Sequence, residues 1–214
     1  MIVPELAGGA AGELDGLRES CVAAIRGLRD ADEVVVVGGG AAGAVYPADA
    51  AGTLAPWGVD VRVGEGTAVL PLSLTVGRWL LDRAGVGRPD EYRAVAVDAG
   101  PEECLAIGAE LAERASRVAL LVMADGSAAL TVKAPGYLQP GAEDYDRALV
   151  RALAAADVTA LGALDPAEAD ELWVGGRAAL QVLAGAGRKD TFQAEVLYDE
   201  APYGVGYHVV SWHR

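Results

Sequence analysis

Histidine is the scarcest functional residue in this chain. There are two, His208 and His213, and both fall within the last seven of 214 residues. Residues 1 to 207 therefore offer no imidazole as metal ligand, general base or partner to a nucleophile. Cysteine is nearly as rare. Cys21 and Cys104 are far apart in sequence, match no metal-binding spacing and read as buried thiols of a reducing cytoplasm. Aromatic residues make up only 6% of the chain. No basic run occurs, and the formal net charge is −14. That balance excludes nucleic acid and anionic membrane as expected partners, because polyanion binding needs clustered Lys and Arg. No apolar run approaches the roughly 18 residues of a membrane span. The opening residues Met1 to Glu5 carry neither the basic nor the apolar part of a secretion signal. A cytoplasmic location is the expectation.

What is present is a well-spread apolar content of 52%, rich in Ala and Gly, which argues for a packed core rather than disorder. Apolar periodicity predicts a helix from Glu13 to Arg29, through Leu14, Leu17, Cys21, Ile25 and Leu28. Val34 to Val37 and Val118 to Met123 are unbroken apolar runs and read as buried parallel strands, covered on both faces and close in the sheet. A Gly/Ala/Pro-rich stretch from Gly38 to Gly66 reads as loops around one strand at Val59 to Val63. Helices are expected from Pro71 to Ala84 and from Pro101 to about Ala115, with a strand at Arg93 to Val97 between them. Further helices follow between Ala142 and Ala186, one starting at Asp165-Pro166-Ala167-Glu168, where an N-cap, a proline and an acidic residue coincide. The chain ends in two alternating segments around a turn at Asp199 to Tyr203. The expected fold class is α/β, a single domain over residues 1–214. It has three layers, with a central, mostly parallel sheet between helices and a C-terminal strand pair.

Four places carry candidate chemistry. Gly38-Gly39-Gly40-Ala41-Ala42-Gly43 follows a strand and matches G-x-G-x-x-G, with Asp60 near the offset of a ribose-binding acid. Pro47, Gly52 and Pro56 interrupt the helix that motif requires, so a glycine-rich loop at a strand end is the competing reading. Asp125 and Ser127 follow the second apolar strand, where ligands bind in open α/β sheets. The alternative for Asp125 is an Asx turn. Ser127 lies outside any nucleophile elbow. Lys133 brings a cation to the same rim, or is an ordinary solvated lysine. Asp199 and Glu200 precede Pro202-Tyr203-Gly204 and form either a carboxylate pair for acid–base or hard-cation chemistry or a solvated turn. His208, on the last strand, reads as a hydrogen-bonded structural residue, and His213 as part of a mobile end.

Met123 to Pro140 (MADGSAALTVKAPGYLQP), Ala194 to Trp212 (AEVLYDEAPYGVGYHVVSW), Leu70 to Leu81 (LPLSLTVGRWLL) and Leu180 to Ala184 (LQVLA) resemble, in order, a branch of the class III extradiol ring-cleavage dioxygenases, the branch formed by their catalytic subunits. The resemblance implies a central, largely parallel sheet with helices on both faces. It also implies a non-haem ferrous ion held by two histidines and a glutamate, with open positions for a catechol and oxygen. Three family histidines have no counterpart here. One belongs to an N-terminal strand and loop of which Ile2-Val3-Pro4 matches the end, so an upstream apolar strand, or a partner covering its place, is expected. The second would lie in Gly38 to Ala42. The third would follow Ser127, where Ala128 stands. Glu195 and Glu200 both remain open as the glutamate. The expected function is thus a dioxygenase-like protein without ferrous site or ring cleavage, with no cofactor, keeping a cleft for a small molecule or protein partner. Gly38, Gly39, Gly40, Asp125, Ser127, Lys133 and Tyr203 are the candidates to line that cleft. Asp125 and Glu200 are the candidate catalytic groups of an alternative enzyme using carboxylates or a divalent metal. Nucleotide binding at Gly38 to Gly43 is a weaker alternative, and self-association into a homo-oligomer stays open.

Overall fold

The computed structural model describes residues 2–214. The chain begins with a short helix α1 (Pro4–Ala7) and a 3₁₀ stretch over Gly8–Leu14. Helix α2 (Asp15–Arg26) then leads through a second 3₁₀ turn, Gly27–Asp30, into strand β1 (Glu33–Gly40). The amphipathic segment predicted as one helix is thus three pieces. Leu14, Leu17 and Ile25 are buried as its periodicity required.

Beyond β1 come three short strands, β2 (Ala44–Pro47), β3 (Gly52–Thr53) and β4 (Arg62–Val63). Helix α3 (Leu72–Ala84), strand β5 (Glu91–Ala96), helix α4 (Pro101–Ala112) and strand β6 (Val118–Met123) follow. Strands β5, β1 and β6 are parallel neighbours, and β2 runs antiparallel along β5, giving the order β2-β5-β1-β6. Val36 stands beside Leu121, so the two apolar runs are adjacent. The fold is therefore mixed α/β with a four-stranded, mixed sheet.

Two expectations need correction here. The stretch after Val37 is not simply loop: β1 continues through Gly38, Gly39 and Gly40, and β2 adds an edge strand. The glycines serve packing. A Cβ on Gly38 would meet Ser73 Oγ at 2.6 Å, and that hydroxyl donates to the Gly39 carbonyl. Any larger residue would push the start of α3 off the sheet. Second, β6 is not interior. It ends the strand order, and all six of its residues are only half-buried, whereas Val35, Val36 and Val37 are fully buried.

Side-chain alternation divides the core around this sheet. Val36, Leu121 and Met123 join Leu74, Leu80 and Leu81 of α3, together with Ile25 of α2. Val35, Val37, Leu120 and Val122 join Cys104 and Leu111 of α4. Helix α8 (Arg177–Gly187) packs on that second group through Ala178, Ala179 and Val182. Helices α4 and α8 touch closely, since a Cβ on Gly108 would stand 2.0 Å from the Val182 carbonyl oxygen. Between β6 and α8 lie α5 (Ala142–Ala154), α6 (Val158–Gly162) and α7 (Pro166–Glu171). The predicted start of α7 is present, with Asp165 Oδ1 accepting from the Glu168 amide at 2.9 Å.

Strands β7 (Gln193–Glu200) and β8 (Tyr207–His213) form the expected antiparallel pair, with a bulge between Val196 and Tyr198. The connection starts after Glu200 rather than at Asp199. On one side Val209 packs with Leu14 and Leu17, and on the other Val210 and Trp212 pack with Leu149, Leu153 and Leu180. At the amino ends of the strands, Arg114 bridges Glu33 of β1 and Glu91 of β5 at 3.4 and 3.0 Å. No helix of the described residues is long and apolar enough to cross a membrane.

Candidate functional site

The opposite, carboxyl ends of β1, β5 and β6 meet a glycine pair that opens α8. Gly176 donates its amide to the Asp125 carbonyl at 2.9 Å. A Cβ on Gly176 would clash with Ala124 and with the Asp125 backbone, so this approach requires glycine. A Cβ on Gly39 would lie 3.2 Å from Val97 Cγ1 and 3.8 Å from the Gly175 carbonyl oxygen. One on Gly175 would lie 3.7 Å from Asp125 Oδ2. Gly39, Val97, Gly175 and Asp125 are thus successive neighbours.

Asp125 is exposed, and desolvation by the packed backbone beside it raises its carboxyl pKa above the usual range. Both facts fit a recess floored by backbone. Apolar side chains stand exposed on nearby segments. Val97 follows β5, Leu72 opens α3, and Trp173 precedes the glycine pair. Trp173 also holds a left-handed backbone at φ 56° and lies against Gly136. Two surface hollows, of about 310 and 410 Å³, lie elsewhere, around Leu105 and Val158 and between Arg18 and Arg83. Neither includes Asp125.

The other sequence candidates have separate positions. Ser127 is fully buried and turned inward. Its Oγ donates to the Leu172 carbonyl at 2.8 Å and accepts from the Ala129 amide at 3.2 Å. It braces the α7–α8 connection and has no hydroxyl face toward the recess. Lys133 is exposed in the segment after Ser127, which packs against Gly204 through Thr131 and Ala134. Tyr203 leans away to α2's approach and donates to Glu13 Oε2 at 2.6 Å. Glu200 is exposed on β7 and accepts from Tyr198 OH at 2.9 Å. Its sequence neighbour Asp199 bonds His208 instead, so the carboxylate pair is split. Glu195 is exposed in mid-β7. After Gly40 the chain turns into β2 rather than a helix, so Gly38 to Gly43 does not open a helix N-terminus.

Several residues central to this region carry no clear sequence signal. Arg177, 4% exposed, sends its guanidinium to the carbonyls of Val97 and Ala99 and to Gln181 Oε1, pinning the turn after β5 to α8. Asp146 on α5 reaches His208 Nε2 at 3.1 Å while Asp199 meets Nδ1 at 2.9 Å. The separations between these partners, 62 and 9 residues, hide the cluster from any local motif. The Gly175-Gly176 doublet is the one local signal, because it interrupts the run of helices.

A ferrous ion of the extradiol type does not fit these donors. Such an ion takes two imidazoles and a carboxylate on one face. At the carboxyl end of β1 the residues are glycine and alanine, which have no donor side-chain atom. His208 gives both ring nitrogens to carboxylates, and His213 is exposed at the end of β8. Among the described residues no three of His, Cys, Asp and Glu stand together as a metal-binding set. Both thiols are held protonated by burial, with Cys21 pushed up to about 11 and Cys104 also raised. No family model matches this chain, and no curated protein matches it.

Proposed function

We propose that this protein is a module similar to the catalytic subunits of class III extradiol dioxygenases that has lost the ferrous site and ring cleavage and binds a small molecule at the Asp125 recess. The observation carrying this reading is the convergence of Gly39, Gly175 and Asp125 at the strand carboxyl ends, where ligands of open α/β sheets bind. The recess offers one carboxylate and close-packed backbone, with apolar side chains on the neighbouring segments. That chemistry suits a ligand with a flat apolar body and a hydrogen-bond donor, as a phenol, catechol or aryl amine has. The family reading also takes residues 1–214 as one domain, located in the cytoplasm, with the sheet as the middle of three layers and β7–β8 as a C-terminal strand pair. The division of the core onto the two faces of β1 and β6 supports this arrangement.

The test uses purified protein reconstituted anaerobically with ferrous iron and then given catechol and oxygen. The expected result is no stoichiometric iron and no oxygen uptake, with catechol binding weakened about tenfold by Asp125→Asn, or about 1.4 kcal/mol. One iron per chain with extradiol cleavage overturns the loss of activity. Catechol binding unaffected by Asp125→Asn overturns the assigned recess.

A further inference from the structure

We infer that Asp146, His208 and Asp199 form a pH-operated clamp that holds the β7–β8 hairpin to α5 and, through it, the backbone carrying Asp125. The regulatory meaning rests on the recess reading above. The clamp itself rests on geometry alone. The His208 side chain is 6% exposed and sits between two carboxylates, Asp146 at 12% and Asp199 at 48%. An imidazolium donates an N–H from each ring nitrogen and satisfies both. A neutral imidazole has one N–H, so its other nitrogen would turn a lone pair onto a carboxylate oxygen at about 3 Å.

The surroundings leave little room to adjust. A Cβ on Gly206 would stand 2.5 Å from Asp146 Oδ1 and 2.8 Å from His208 Nε2. Gly126, from the segment after β6, packs on the same spot through the Gly206 carbonyl. The charged groups facing the imidazole are Asp146 from α5 and Asp199 from β7. The segment after β6 presents backbone there, with the Asp125 side chain directed toward Gly175. Burial alone would lower the pKa of His208, yet the carboxylates outweigh it and raise the value above the ordinary one.

The hairpin connection is tied directly to the segment that follows Asp125. Gly206 donates its amide to the Ser127 carbonyl at 2.9 Å, and Leu130 donates to the Gly204 carbonyl at 3.0 Å. Releasing His208 therefore loosens both ends of the segment that follows Asp125. A histidine with a raised folded pKa contributes stability that is complete below its unfolded pKa of about 6.5 and fades as pH rises through the folded value. The clamp is closed below the folded pKa of His208 and opens as pH rises through it.

The experiment follows the His208 ring by NMR titration in the full chain and the exchange of amides 204–210, corrected for intrinsic rates, on either side of the measured pKa. His208 should titrate above about 6.5. Amide protection should fall about tenfold across that pKa, equivalent to about 1.4 kcal/mol. Asp199→Asn, at a half-exposed position, should lower the His208 pKa and move the protection step with it. A His208 pKa at or below the ordinary value, an unmoved pKa in Asp199→Asn, or pH-independent protection each overturns the clamp. Because no readout involves a ligand, failure of the recess reading would leave these results unchanged.

Discussion

Strands β1 and β6 are made of the same material and end in different surroundings. Both are apolar throughout their centres, both run parallel and they lie side by side. Their side chains enter the same two clusters, with Val36 and Leu121 on the α3 side and Val37 and Val122 on the α4 and α8 side. Yet Val35 to Val37 have no exposed surface, while every residue of β6 keeps some. The difference lies in the hydrogen-bonding direction. β1 has β5 and β6 as neighbours, whereas β6 has β1 on one side and no paired strand on the other among the described residues. An apolar run therefore reports that both faces of a strand are covered. It says nothing about whether both edges are paired, because edge pairing uses backbone that every residue shares.

This contrast can be broken by substitution. The largest expected effect is truncation in the centre: Val36→Ala should cost about 2–3 kcal/mol, since the cavity lies under α3 and cannot reach water. Val122→Ala, in a half-exposed strand, should cost about half as much. Chemical denaturation of both variants checks the ranking, and equal losses would mean that β6 is as enclosed as β1.

A sharper probe keeps the volume and adds a hydroxyl. Val36→Thr should cost about 1–3 kcal/mol, because the hydroxyl meets no partner in the core. Val122→Thr should cost less than about 1 kcal/mol, because water reaches that strand. Thermal melts are adequate to separate the two.

The smallest effect concerns the end of β6. Asp125 has its folded pKa raised above an unfolded value of about 3.9. A carboxyl shifted this way favours folding while protonated and opposes it once charged, so its contribution is lost as pH rises through the folded pKa. Asp125→Asn should therefore raise the melting temperature slightly near neutrality and leave it unchanged below the unfolded pKa. A lowered melting temperature at both would assign Asp125 to a turn that needs its carboxylate.

Where structure follows local pattern, the sequence is a good guide. Val118 to Met123 is a strand with those limits, Asp165 caps α7, and the C-terminal segments pair as a hairpin. What local pattern misses is decided by contacts between distant residues. β2 is a strand because β5 offers an edge, although Ala44 to Pro47 contain a proline and little alternation. The glycines of β1 look like a phosphate loop, and their reason is a serine 34 residues away. At the candidate site, Asp125 is legible because it follows a buried strand. Ser127 sits in the same motif but faces inward to Leu172, a distinction no spacing reveals. His208 shows its structural character in the sequence, but not its two carboxylates.

The unpaired edge of β6 has a colloidal consequence. Exposed edges are normally guarded by a lysine, a proline or a bulge, and Val118 to Met123 contain none of these. A second chain would need to approach to about 4.8 Å to pair with it. The formal charge of −14 on each copy opposes that approach. That repulsion reaches about 8 Å at physiological ionic strength and only about 3 Å in molar salt. Self-association through this edge should therefore rise with salt, and light scattering across a salt series checks it: no change between dilute buffer and molar salt would mean that the edge is not available for pairing.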